Sequence, residues 1–496
     1  MQKKKSLWIY IGIAAVYLAA GIILLSFHEP WRDESQAWVL AHNLSWSQIV
    51  SVCVSEGHPC LWFYLAKLTI LFGLPFKAFG VVSVVFMSVA VFLFLRNSKL
   101  SWVSKVIILI SPVFFYYNPV ICRIYSLVVL LICIMCSFWK ERHDKPILYG
   151  IIAALLFQSH VLIFGLAIGF VIDMIIELFK DKAKRDLKHI VGLLITVISF
   201  VLTILELKQN DQTEAFIVIS GEYIRNRLGG RTVFDSIKTI SDKFNLPGDG
   251  VGIIGYLVLL LIAAILIVGI VMLFLKSRRS KVIREYIVLF CGFAVFLGIV
   301  ILVRRPDHIQ MAIVLWMMLL FFCWITRDDD EYHLKIFEIL FAILCIICIP
   351  RTVIDTVNDI QNPFSGSKEM ARIIRGNVED NSVIVVRNNE YSTTVVAYLE
   401  NTDNLIWDID NGKEYTVHKW GSANRREISE DNLMDYLRED LDYLQKYDNI
   451  YYVQTGNELF APVQIPGLEP VDGNKAVNTW DEYYWLYKVN DEQSER

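Results

Sequence analysis

The sequence predicts a polytopic α-helical membrane protein of about eleven spans, with interfacial helices in its first outer loop and a small C-terminal α/β domain. Three observations carry that expectation. The 496 residues are 55% hydrophobic, with a mean hydropathy of +0.46, and a soluble fold of that composition would expose large apolar patches. The apolar residues gather in runs of about 17 to 25, enough to cross a hydrocarbon core of roughly 30 Å as helices. Charge is also unevenly divided. Residues 351–496 hold 14 Lys and Arg against 27 Asp and Glu, whereas residues 1–350 hold 33 against 24. The shift at Arg351 separates a transmembrane domain, 1–350, from an extracytoplasmic domain, 351–496.

Spans are expected at 6–26, 76–95, 102–117, 121–139, 147–163, 164–180, 189–207, 251–275, 286–303, 308–326 and 334–350. The first follows Lys3, Lys4 and Lys5; its apolar run is too long for a signal peptide, so it reads as a signal anchor. Short loops on one side collect the basic residues, among them Lys140, Arg142, Lys145, Lys182, Lys184, Arg185, Arg278 and Arg279. The positive-inside rule makes that side cytoplasmic, with the N-terminus. An odd number of spans leaves 27–75, 208–250 and the tail outside, in a plasma membrane of bacterial type. The apolar stretch 59–74 is read as a helix lying at the outer interface, because a span there would reverse the charge pattern and Lys67 interrupts it.

In the tail, a helix is expected from Lys368 to Arg375, a buried strand from Ser382, a helix from Asn432 to Tyr447 and a strand from Asn449. The nine cysteines all precede Arg351 and mostly lie in or beside apolar runs, where Cys acts as a small hydrophobe. Cys53 and Cys60 share one polar loop, and spacing leaves their pairing open. The basic residues sit in loops between spans and not on one face, so nucleic acid is not an expected partner.

The first outer loop is the most informative segment. Asp33 and Glu34 follow the first span closely and precede an amphipathic stretch, and helix capping explains such a pair by local physics alone. About two dozen residues later, Gly57, His58 and Pro59 open an apolar, aromatic segment running through Leu61, Trp62, Phe63 and Tyr64. Ser111, Pro112, Tyr116 and Tyr117 then precede an Arg-x-Tyr element, Arg123 to Tyr125. Between two late spans lie Arg304, Arg305, Pro306, Asp307 and His308.

In order and sidedness these elements resemble the polyprenyl-phosphate-dependent glycosyltransferases of the GT-C fold, the group that includes protein O-mannosyltransferases and lipid A aminoarabinose transferases. The resemblance covers residues 1–180 and extends to the remaining spans by hydropathy. It implies an inverting transfer of sugar from a polyprenyl phosphate to an acceptor hydroxyl on protein, lipid or glycan, at the outer face. Asp33 is then the base and Glu34 its neighbour, orienting the acceptor or raising the Asp33 pKa. Arg123, with Arg304 or Arg305, would clamp the leaving phosphate in the guanidinium fork, and His58, Tyr125 and His308 would line the substrate site. No metal ligands are assigned; a divalent metal requirement stays open, since Arg alone can hold a monophosphate.

Two further readings remain in view, a lipid or sugar transporter and a catalytically inactive GT-C-like assembly protein. His160 is expected to be a satisfied interface histidine, and Asp173 and Glu177 solvated charges at a helix end. Asp408 to Asp410 forms an Asp-x-Asp of the kind that holds nucleotide-sugars, but on the outer side such donors are scarce.

Overall fold

The computed structural model describes residues 2–208, 290–299, 309–328, 335–400, 402–418, 425–456, 461–474 and 482–490, with isolated positions between 239 and 288. The chain is mostly helical with a small C-terminal sheet. Among the described residues six helices are long and apolar enough to cross a membrane: Leu7–Phe27, Phe76–Asn97, Val161–Lys180, Leu187–Glu206, Gln310–Asp328 and Lys335–Gln361. Each falls on an expected span. Expected spans 251–275 and 286–303 fall largely or partly outside the described residues.

Helix α1 (Gln2–Phe27) leads into three shorter helices, α2 (Arg32–Asn43), α3 (Trp46–Glu56) and α4 (Leu61–Leu71). With 11 residues, α4 extends only about 16 Å, half a bilayer core. Lys67, which interrupts its apolar run, donates to the carbonyls of Ala41 and Leu44 at 2.8 and 2.6 Å and so closes the end of α2.

Next come α5 (Phe79–Asn97), α6 (Trp102–Leu109), α7 (Tyr125–Ser137), α8 (Pro146–Phe157), α9 (Phe164–Lys180) and α10 (Leu187–Glu206). Three expected spans are shorter than their hydropathy suggests. The run 102–117 is broken: α6 stops at Leu109, and beyond Ser111 and Pro112 the chain winds as a π-helix, Val113–Tyr117. Proline cannot donate to the helix ladder, and π-turns concentrate at functional sites. The α-helices within the runs 121–139 and 147–163 are the 13-residue α7 and the 12-residue α8.

Burial separates the more apolar helices from the most enclosed one. The window in Leu7–Phe27 is 6% buried, that in Gln310–Asp328 94%; the first faces its surroundings and the second is the central post. Beyond α11 (Phe290–Ile299), this post is α12 (Ile309–Asp328). Its Trp316 and Trp324 pack on Phe114, Phe341 and Phe94. Helices α8 and α10 meet through small residues: a Cβ at Gly150 would overlap the Gly192 carbonyl. There Thr196 donates to Gly150 O at 3.1 Å and Ser199 to Ala154 O at 2.8 Å, the close backbone approach typical of helices without a hydrophobic drive between them.

Helix α13 (Lys335–Gln361) does not end at Arg351 but continues through Pro350 for ten more residues. Hydropathy falls there while one helical face, Thr352, Thr356 and Asp359, stays buried. The sheet domain then follows: α14 (Ser367–Asn377), β1 (Ser382–Val386), α15 (Glu390–Tyr398), β2 (Leu405–Asp408), β3 (Lys413–Glu414), α16 (Leu433–Glu439), α17 (Leu441–Leu444), β4 (Asn449–Gly456), β5 (Leu468–Gly473) and β6 (Tyr483–Val489).

Strand order is β3-β2-β1-β4-β6-β5, with β1 parallel to both β2 and β4 and the outer pairs antiparallel. Strand β1 is buried along its whole length, as the unbroken run Val383 to Val386 requires of a central parallel strand. The helix expected at 432–447 is two pieces that part at Asp440. Its carboxylate accepts from Trp407 Nε1 at 2.8 Å and from Arg426 at 2.8 and 2.9 Å.

This domain sits on the first loop, with α15 packed against α2. Glu400 accepts from Trp38 Nε1 at 3.0 Å and from the Phe76 amide at 3.3 Å. Gln36 donates to His418 O at 2.9 Å, and Lys368 pairs with Glu29 at 2.7 Å.

Candidate active site

The loop between α1 and α2 turns on Glu34. As the third residue of α2 it accepts the Trp31 amide at 3.3 Å, the capping role that local sequence suggests. Its carboxylate also accepts hydrogen bonds from His28 Nε2 at 2.9 Å and from the Cys122 amide. At 1% exposure Glu34 faces inward, and its contacts anchor the loop.

His28 lies between two carboxylates. Its Nδ1 meets Asp359 Oδ2 at 2.9 Å, as its Nε2 meets Glu34. Carboxylates only accept, so both ring nitrogens donate and the ring is an imidazolium. Burial pushes its pKa down, but Glu34 and Asp359 overcome this and hold it up at about 10. Tyr116, from the π-helix, donates to the same Asp359 oxygen at 2.9 Å. One turn back on α13, Asp355 accepts from Arg351 Nε at 2.6 Å and Tyr117 Oη at 2.5 Å.

This network brings Asp33 and Arg123 together, although 90 positions separate them. Asp33 adjoins Glu34 in the chain and Arg123 adjoins Cys122, so the Glu34 contact to the Cys122 amide sets both in place. The two side chains form an ion pair, Arg123 Nη1 on Asp33 Oδ2, and remain 14% and 26% exposed.

Three other rings surround the pair. The Arg123 guanidinium lies 6.0 Å from the Tyr125 ring centre. Tyr125 Oη is 2.9 Å from His160 Nε2, whose Nδ1 accepts the Leu162 amide at 3.1 Å. With Nδ1 accepting, Nε2 carries the proton and donates to Tyr125; His160 is satisfied on both sides. The His58 ring packs 4.6 Å from it. Burial and then Arg123 push the His58 pKa down to about 3 against the opposing pull of Asp33, so His58 is neutral. Its Nδ1 is buried with no hydrogen-bond partner among the described residues.

Of the residues that sequence reasoning selected, the fold gathers Asp33, Glu34, His58, Arg123 and Tyr125 into one cluster. Arg304, Arg305 and His308 lie outside the described residues. Sequence reasoning gave no role to Tyr116 and did not single out His28 or Asp359. The available signal was the spacing of Asp355 and Asp359 one helical turn apart, just past an apolar span.

Elsewhere the expectations meet different outcomes. Asp173 is not a solvated helix-end charge: it is 1% exposed. It accepts from Arg142 at 2.8 and 3.2 Å and from Tyr149 Oη at 3.0 Å. The Asp-x-Asp element is a structural knot, because Asp408 accepts from Asn388 and Asn411 and Asp410 from Arg387. Cys53 and Cys60 are free thiols with their Sγ atoms 3.1 Å apart.

No family model matches this chain, and no curated protein matches it either.

Proposed function

We propose that the chain is an inverting membrane glycosyltransferase of the GT-C type, with about eleven spans, that takes its sugar from a polyprenyl phosphate at the outer membrane face. The observation that carries this reading is the Asp33–Arg123 pair, two charged groups in direct contact that remain partly exposed. A carboxylate that can take a proton and a guanidinium that can take a phosphate stand side by side, the two functions the transfer needs.

In this mechanism the donor phosphate draws the Arg123 fork toward itself and loosens its hold on Asp33. The acceptor oxygen attacks the anomeric carbon from the face opposite the leaving group. The carbon–oxygen bond to phosphate breaks, the polyprenyl phosphate leaves with the bonding pair, and Asp33 Oδ2 receives the acceptor proton. Tyr125 and His58 line the site beside the guanidinium. Arg304, Arg305 and His308 are proposed, from the resemblance alone, to complete the phosphate and substrate contacts. The acceptor, whether protein, lipid or glycan, approaches from the side of the sheet domain.

The test is transfer of radiolabelled sugar from a polyprenyl-phosphate donor to acceptors in membranes carrying the protein. Asp33→Asn should slow transfer by about 10²- to 10⁴-fold, the usual contribution of a positioned base. Undiminished transfer by a correctly inserted variant removes Asp33 from the chemistry.

One observation favours the transporter reading instead. Asp173 and Tyr149 are buried within apolar helices, and intramembrane ionisable groups often mark ion or substrate paths. Bidentate pairing with Arg142 gives Asp173 a structural role that needs no such path.

A further inference from the structure

The turn that carries His58 is bounded by two cysteines. Cys53 lies in the last two turns of α3 and Cys60 directly precedes α4, and both are buried. Between them Gly57 takes a left-handed conformation, φ 68°, and folds the chain back so that the two side chains meet. The Sγ atoms stand 3.1 Å apart, about 1 Å beyond the bonded distance of about 2.05 Å. Both neighbours are held in place: Cys53 Sγ contacts Ile49 O at 3.2 Å, and the Cys60 amide donates to Glu206 Oε2 at 3.3 Å. The thiols thus meet because the backbone around them is fixed, not because two mobile side chains happen to touch.

We propose that Cys53 and Cys60 are a site of covalent modification, forming an intramolecular disulfide that staples the His58 turn beside the Asp33–Arg123 cluster. A thiolate from one cysteine attacks a disulfide-bearing oxidant and forms a mixed disulfide. The second cysteine displaces the carrier. Overall both cysteines lose their protons and together two electrons, and the oxidant departs as two thiols. Because both sulfurs are buried in the finished fold, the exchange takes place while the α3–α4 corner is still open, before α2 and α10 close over it. A bridge persists only on the oxidising side of a membrane, so its presence also fixes the sidedness of residues 28–75.

The experiment uses the full chain, purified in detergent without reductant, denatured, and alkylated with iodoacetamide before mass spectrometry. The sequence has nine cysteines. Seven alkyl groups are expected without reductant and nine after reduction. The peptide spanning both residues should be lighter by two hydrogens and unalkylated in the first case. Cys53→Ser should leave eight labels under both conditions, Cys60 among them. Nine labels without reductant, or a bridge mapped to a different pair, overturns the proposal. The readout does not depend on sugar transfer, so it stands or falls separately from the proposed function.

Discussion

Replacing His28 by glutamine tests the ionic joint that holds the first loop. In the folded protein the ring is enclosed by Glu34 and Asp359, with the Phe364 ring 4.6 Å away and Tyr116 on the far side of Asp359. Its pKa rises from 6.5 to about 10. At about 1.4 kcal/mol per pH unit, the proton contributes about 5 kcal/mol of stability. The direction follows from the raised value. Folded His28 binds its proton more tightly than unfolded His28, so the contribution is complete below about pH 6.5, declines through the interval and is lost above about pH 10. A glutamine cannot supply that charge, and it leaves two buried carboxylates facing each other, a cost of about 3–5 kcal/mol at neutral pH. Reversible unfolding in mixed micelles, followed by tryptophan fluorescence from pH 6 to 10, measures the effect. The gap between wild type and His28→Gln should be widest at pH 6 and shrink by about 1.4 kcal/mol per unit above pH 6.5. Asp359→Asn removes one carboxylate and should narrow the pH interval from above. A gap that stays constant across the range would refute the imidazolium and with it the joint.

Two other perturbations test the packing around the site. Gly192→Leu places a side chain where a Cβ already overlaps the Pro146 carbonyl. It should separate α8 from α10, break the Thr196 and Ser199 contacts, and cost about 3 kcal/mol or more in the same unfolding assay; an unchanged midpoint would mean the helices do not cross there. Glu400→Leu strands the donors of Trp38 and Phe76, at about 1–3 kcal/mol each. It should loosen the sheet domain from α2, read as faster amide exchange in α2 and α15; unchanged exchange would show that this carboxylate does not hold the domain.

Much of this architecture was legible in order along the chain, because the relevant physics is local. Long apolar runs mark the membrane helices, since an unpaired backbone in lipid is costly. The charge imbalance beyond Arg351 and the run Val383 to Val386 announce a second domain with a buried central strand. Asp33, His58, Arg123 and Tyr125 stood out by residue type and spacing, and the fold brings them together.

What the tertiary structure decided is which groups meet. Hydropathy cannot register that Ser111 and Pro112 break a span into a π-turn, or that α13 keeps a buried polar face past Arg351. Asp173 looked solvated because its partner Arg142 comes from the turn before α8, 31 positions away. The acidic pair with which the first loop begins is divided by the fold. Glu34 turns inward to His28 and the Cys122 amide, while Asp33 points outward to Arg123. Neighbouring positions at the start of a helix differ by about 100° in direction. Which one meets the interior depends on His28, Cys122 and Asp359, contacts between distant parts of the chain that no local pattern contains.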